Sequence, residues 1–138
     1  MKVQCTHRNG DRIPDKVIAL GNTPDSRFPI RFDAKYTVYA ICLWQGVLHY
    51  LVINDHNRRP DWIPACFFNI VDGHIPDSWS CYYWREESPF GAEAIFGYEE
   101  IAKPDGIHYV NLIEREDDAM RVFDRRRQEI DDAAIDLQ

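Results

Sequence analysis

The sequence predicts an α+β fold with a mainly β core, in which a small β-barrel carries a C-terminal helical segment packed on its outside. The first half of the chain holds short runs of β-branched and aromatic residues between turn residues, which is typical of antiparallel strands. Beyond Gly97 the apolar residues recur at helical spacings of three, four and seven. A chain of 138 residues fits a single domain, and we expect the barrel at about 1–84 and the helical cover at about 97–135.

The clearest predicted feature is a hairpin in which a strand at residues 35–44 turns at Gln45-Gly46 into a partner strand at residues 47–53. Both strands carry apolar residues on both faces. Because a bare small barrel shows one face to water, the outer face of this hairpin requires a cover. We expect a helical stripe of the same chain to provide it, and a homodimer is the alternative. The stripe consists of Tyr109, Leu112 or Ile113, Met120, Phe123 and Ile130.

The other predicted elements follow from turn residues and shorter apolar runs. Pro64 interrupts one of these runs, which suits a strand end or an edge strand. Asp117 or Asp118 is expected to cap a second helix. The predicted elements are a first strand at 2–7, a long structured excursion at 8–33, a polar loop at 54–60, a return strand at 62–71 and a further strand at 79–84.

The net charge of −7 is unevenly placed, since residues 99–138 alone have a balance of −6. Acidic side chains repel phosphates, so this charge argues against DNA or RNA as a partner. It favours a basic protein, which it would steer into contact. The alternative interpretation is that the acids only solvate an exposed helix face.

The sequence also predicts the cell compartment of the protein and whether it holds a metal or a cofactor. No apolar run is long enough to span a bilayer and no secretory signal opens the chain, so we expect a cytoplasmic protein without membrane contact. Cys5, Cys42, Cys66 and Cys81 form no Cys-x-x-Cys pair, which argues against a zinc site. We expect them to be reduced and buried, and we expect neither a metal nor a cofactor.

The sequence holds no local catalytic signature. The histidines form no HExxH motif, there is no GxSxG elbow, and the glycines are scattered instead of forming a phosphate loop. His49 lies in an apolar strand, where we expect a hydrogen-bonded core or boundary residue. A small hydrolase would therefore need a Cys–His pair or a carboxylate pair that meets only in space. We predict a protein that binds and is not an enzyme.

Three groups of residues are candidates for contact with a protein partner. Trp79 and Trp84 are candidate anchors, because aromatics anchor interfaces, although they also fill cores. Arg58 and Arg59 lie in the polar loop between two strong strands, where an ordinary hairpin loop is the alternative. The third group comprises the acids of the helical segment, Glu114, Glu116, Asp117, Asp118 and Asp124.

Several runs carry a resemblance to SH3-like β-barrels, and the closing segment with its Trp, Pro and short aromatic turn carries most of it. The chain is similar over about residues 1–84 to small stand-alone bacterial proteins of this fold, several of which are immunity proteins that neutralise a toxin domain. The first-loop signature of peptide-binding SH3 domains is not evident in residues 8–33, which argues against proline-rich ligands. The matching runs are KYTVYAI (35–41), YLVI (50–53), WIPA (62–65), FF (67–68) and IVD (70–72).

Three functions are therefore weighed. The first is an immunity or antitoxin-type inhibitor that occludes a cognate toxin, with acids that mimic phosphate if the toxin is a nuclease. The second is an SH3-like regulatory interaction module of a bacterial or phage assembly, which would use the loop at residues 55–61. The third is the small hydrolase described above.

Overall fold

Eight strands and three helices make up the part of the chain that this computed structural model describes, residues 1–85 and 88–136. The fold is mixed α+β, as predicted. The elements are β1 (Lys2–Cys5), α1 (Asp15–Ile18), β2 (Lys35–Thr37), β3 (Ala40–Trp44), β4 (Val47–Ile53), β5 (Pro60–Pro64), a 3-10 turn (Ala65–Phe67), β6 (Phe68–Asp72), β7 (Ser80–Tyr83), β8 (Ala92–Gly97), α2 (Ile107–Ile113) and α3 (Asp117–Asp136).

The strands form two antiparallel sheets, one of three strands in the order β2-β1-β6 and one of five in the order β5-β4-β3-β8-β7. The stretch 35–44 supplies a strand to each sheet. Val38 donates its amide hydrogen to the carbonyl of Met1, whereas Tyr39 donates to Leu51 in the other sheet. Within the described residues both sheets remain open, so the prediction of a closed barrel is wrong. The physical reason is that no ladder between described residues joins the edge strands β2 and β6 of one sheet to the edge strands β5 and β7 of the other.

A first core lies between the two sheets. Val3 of the three-stranded sheet packs with Tyr50 and Val52 of the five-stranded sheet. The excursion at 8–33 contributes as well, since Ile13 and Val17 are buried in the same cluster. The expectation that this excursion is structured is confirmed, although its regular structure is only the short helix α1.

A second core lies between the opposite face of the five-stranded sheet and the C-terminal helices. Cys42 and Leu51 of the sheet are buried there with Leu112 of α2 and Phe123 of α3. The predicted helical cover is therefore present and comes from the same chain. Burial of both faces away from the β3–β4 turn explains why most of the hairpin is apolar on both sides.

Two predictions about local features need correction. Helix α3, the second of the predicted C-terminal helices, begins at Asp117. Asp117 and Asp118 therefore lie inside its first turn and not at its cap position. There their negative charges favour the positive end of the helix dipole. Cys5 and Cys42 are buried as expected, whereas Cys66 and Cys81 are exposed. Cys66 lies in the 3-10 turn and Cys81 on the edge strand β7.

Strand β8 has no counterpart among the predicted elements. It inserts between β3 and β7 and pairs with both. Gly97 ends the strand in tight contact, since a Cβ atom there would lie 2.8 Å from the Cβ of Ala40. In the described part of the chain, no helix combines the length and apolar character needed to cross a membrane.

Candidate functional site

One face of the five-stranded sheet is only half covered. Around Tyr50 and Val52 this face packs on the three-stranded sheet. Towards the β3–β4 turn and the edge strand β7, the same face opens to solvent. Because side chains alternate along a strand, the register groups uncharged residues of four neighbouring strands on it. We call this group the apolar sheet face: Leu43, Leu48, Cys81, Tyr83 and Phe96.

Three large residues of the apolar sheet face are exposed to solvent. Tyr83, Phe96 and Leu48 are 68%, 43% and 41% exposed. Strand β7 forms the sheet edge and contains only serine, cysteine and tyrosine, without the charges or prolines that usually protect an edge. Exposed apolar patches of this kind mark interaction sites. This arrangement is suited to docking another protein.

The acidic candidates lie on the helical side of the molecule. Glu114 follows α2 and Glu116 precedes α3, while Asp117, Asp118 and Asp124 belong to α3. All five are exposed. Asp118 accepts a hydrogen bond from Arg121 at 2.9 Å, so part of this charge is neutralised locally. The acids form a surface that attracts cations without enclosing one.

The two candidate tryptophans have internal packing roles. Trp79 is partly buried against the core between the sheets. Trp84 packs against the helical core, where its ring meets Phe90 edge-on at 5.4 Å and its indole N–H donates to the carbonyl of Pro104. Neither ring projects freely, so the exposed aromatics Tyr83 and Phe96 are the better placed anchors.

Arg58 and Arg59 are exposed in the turn between β4 and β5. Asn54 is buried beneath them, and its side-chain oxygen accepts the backbone N–H groups of His56 and Asn57. Arg58 has a positive φ of 60°. The hydrogen bonds of Asn54 thus fix the backbone of the turn, and the two arginines project from it into solvent.

A pocket of about 280 Å³ lies on the helical side of the five-stranded sheet, against α2. Its aromatic walls are Trp44, Trp62 and Tyr109, and Leu51 and Leu112 contribute aliphatic surface. The rings of Trp62 and Tyr109 are 5.7 Å apart and tilted by 40°. Strands β3, β4 and β5 and helix α2 each supply part of the wall, so the pocket exists only in the packed fold.

The pocket brings a Cys–His pair together. Cys42 and His49 are direct partners in the β3–β4 ladder and both line the cavity. Burial raises the pKa of the Cys42 thiol to about 12, although a hydrogen bond from Tyr109 opposes the shift. The thiol is therefore protonated at neutral pH, and the thiolate is the nucleophilic form. The pair is better suited to lining a binding site than to attacking a substrate.

His49 is buried and neutral at neutral pH, because burial lowers its pKa although its bond to Val47 opposes this. Its Nδ1 lies 2.9 Å from the carbonyl oxygen of Val47, which only accepts, so Nδ1 carries the proton. Nε2 then keeps a lone pair on the ring's other side. The expectation of a hydrogen-bonded core or boundary histidine is confirmed. In the described residues no three His, Cys, Asp or Glu side chains are placed to hold a metal ion.

Comparisons with protein-family models, with curated proteins and with solved structures find no match for this chain. The candidate sites therefore rest on their own geometry. Sequence reasoning identified His49 but not the pocket, because its walls meet only through tertiary packing. For the apolar sheet face a signal was available, since residues 47–53 are apolar on both faces and residues 79–84 are rich in aromatic side chains.

Proposed function

We propose that this chain is a cytoplasmic, non-enzymatic protein-binding protein that docks a cognate partner on the apolar sheet face. The single observation that carries the proposal is the exposure of Leu48, Tyr83 and Phe96 on one face of a sheet that ends in an unprotected edge strand. Aromatic side chains at the centre of a contact contribute much of the binding free energy in protein complexes.

The partner class within this proposal is a toxin domain that the chain occludes, as an immunity or antitoxin-type inhibitor does. Support comes from the acid surplus of residues 99–138, whose long-range attraction would raise the rate of encounter with a basic partner without orienting it. The exposed acids Glu116 and Asp117 are available for such long-range attraction. Contact itself is assigned to the uncharged face, where desolvation costs least.

The proposal includes a relation to SH3-like barrels. It is supported by the segment that carries the sequence resemblance, which folds as β5, one 3-10 turn and β6. Strand β6 then pairs with β1, as a closing strand returning to the first strand would. The added strands β7 and β8 extend the second sheet and create the exposed face.

The test is co-purification of this protein with the product encoded beside its gene, using four sets of variants. Phe96→Asp should weaken binding at least tenfold, since a charge would be desolvated at the contact. Ile135→Asp, on an exposed α3 position, is the matched control and should leave binding unchanged. Glu116→Lys with Asp117→Lys should slow association and change its salt dependence.

The other outcomes decide against the proposal in distinct ways. If Arg58→Glu with Arg59→Glu abolishes binding while Phe96→Asp does not, the chain is an interaction module that uses its β4–β5 turn. If the neighbouring product neither binds nor is toxic, the inhibitor assignment fails.

A further inference from the structure

We propose that the pocket beneath α2 binds a small, uncharged, planar heteroaromatic molecule that carries both a hydrogen-bond acceptor and a donor, as an oxopurine or oxopyrimidine base does. The pocket lies on the opposite side of the five-stranded sheet from the apolar sheet face, so this site is independent of the docking function. Trp62, His49 and Tyr109 carry the inference, together with the charges at Arg115 and Asp61.

The size and the walls of the pocket favour a flat ring. Its volume of about 280 Å³ lies near the lower end of the range for small-molecule sites. An apolar cavity of about 150 Å³ already admits benzene, so a substituted or fused ring fits here. Trp62 and Tyr109 form one wall, and Trp44 meets His49 edge-on at 6.1 Å on another. Aromatic walls at these angles favour offset-stacked and edge-to-face contacts with a planar guest.

Two polar groups of the pocket residues lack partners, and they are complementary in kind. The indole N–H of Trp62 is buried and has no acceptor among residues 1–85 and 88–136. His49 turns its Nδ1–H to Val47, and its Nε2 lone pair, which is not fully buried, has no donor among the described residues. A buried donor such as the Trp62 N–H is almost always hydrogen-bonded, and an acceptor that is not fully buried, such as His49 Nε2, is free to accept from a ligand. A ligand with an acceptor for Trp62 and a donor for His49 would satisfy both.

The charges at the pocket favour an uncharged ligand. Arg115 and Asp61 both contribute to the lining. Burial raises the pKa of Asp61, and the nearby Arg115 guanidinium opposes that rise, so the two side chains sense each other's charge. A carboxylate ligand would be attracted by Arg115 and repelled by Asp61. An ammonium ligand would be attracted by Asp61 and repelled by Arg115. Neither sign of charge is preferred, whereas a neutral ring avoids both conflicts.

Calorimetric titration of the full chain tests the ligand class. The probes are hypoxanthine and uracil, with indole (donor only), toluene (no polar group) and benzoate (an anion) for comparison. We expect hypoxanthine or uracil to bind at least tenfold more tightly than the three comparison compounds. Equal binding of toluene or indole, preferential binding of benzoate, or no binding of any probe at millimolar concentration would overturn the inference.

Variants of the unpaired indoles locate the site. Trp62→Phe keeps a ring but removes the N–H, and we expect about tenfold weaker binding of the base that binds. Trp79→Phe is the matched control, because the N–H of Trp79 is also buried without an acceptor in the described residues but packs in the other core. Equal loss in the two variants would overturn the assignment.

A measurement on the unmodified protein removes any dependence on how the variants fold. The two variants also identify the indole N–H resonances of Trp62 and Trp79 in an NMR spectrum. On addition of hypoxanthine or uracil the Trp62 resonance should move downfield as its hydrogen bond forms, and the Trp79 resonance should stay in place. An unmoved Trp62 resonance, or equal movement of both, contradicts the proposed site.

Discussion

Arg126 binds Glu100 through two hydrogen bonds, from Nε to Oε1 at 2.7 Å and from Nη2 to Oε2 at 3.1 Å. Arg125 adds a third contact of 2.7 Å to Oε2. The pair ties α3 to the segment that joins β8 to α2. Both the Arg126 and Glu100 side chains are only 21% exposed, so water screens this pair less than an ordinary surface ion pair.

Replacement of Glu100 by Gln should lower the free energy of unfolding by about 1–2 kcal/mol, because one strong charged acceptor is lost. The melting temperature should fall by about 3–7 °C. Glu99→Gln is the matched control, since Glu99 also contacts Arg126 but at 3.5 Å and in an exposed position. Thermal unfolding followed by circular dichroism measures both. Equal losses would show that the bidentate geometry adds nothing.

The stability should fall in two separate windows as the pH is lowered. Burial lowers the pKa values of His49 and His108 below 6.5, so the unfolded chain takes up protons first and stability declines below about pH 6.5. Burial opposes ionisation of Glu100, yet its bonds to Arg126 lower its pKa below 4.5. Its contribution is therefore present above that value and is lost as the pH falls further.

Urea unfolding at intervals between pH 8 and pH 3 resolves the two windows. His49→Gln should reduce the first decline and leave the second, whereas Glu100→Gln should do the reverse. A single decline that both variants change equally would argue against these assignments.

Replacement of Phe123 by Ala should destabilise the protein by about 3–5 kcal/mol, because it opens a cavity at the centre of the helical cover. Phe123 is buried, and its ring meets that of Tyr39 edge-on at 5.5 Å. Ile135→Ala, on an exposed position of the same helix, should change stability by less than about 0.5 kcal/mol. Chemical denaturation measures both free energies, and a small effect at Phe123 would contradict the packing of α3 on the sheet.

Gly106 and Gly46 should respond very differently to substitution by Ala, although both have positive φ angles, of 66° and 77°. At Gly46 the space is open, so Gly46→Ala should cost only the left-handed strain of about 1–2 kcal/mol. At Gly106 a Cβ atom would lie 2.3 Å from the ring of Phe90, which adds about 1–3 kcal/mol of overpacking. The difference in unfolding free energy between the two variants is the measurement, and similar values would sink the steric argument.

The hairpin at residues 35–53 and the helical stripe were predictable because their signals are local. Dense β-branched and aromatic residues specify the strands, and the apolar spacing places Tyr109 on the buried face of α2 and Phe123 and Ile130 on the buried face of α3. The two-faced strands also predicted the cover. The apolar pattern of the hairpin is local, and the helical cover that it requires is present in the fold.

Strand β8 and the division of residues 35–44 were not predictable in the same way. The sequence AEAIFG has a single β-branched residue, and it is a strand because β3 and β7 pair with it on either side. The change of sheet after Val38 depends on where β1 and β4 lie, which no local pattern encodes. The pocket depends on the same long-range packing. Its polar groups come from separate elements, so no local sequence pattern shows that they lie together.

Residues 35–44 couple the two sheets, because this one stretch of backbone supplies β2 to one sheet and β3 to the other. Opening β1 from β2 frees Val38 and withdraws support from Tyr39, whose amide belongs to the neighbouring ladder. Loss of hydrogen bonds in one sheet therefore destabilises the other, and the two sheets should unfold together in a single step. Amide protons of Val3 and Leu51, which lie in different sheets, would then exchange with solvent at a common rate limit.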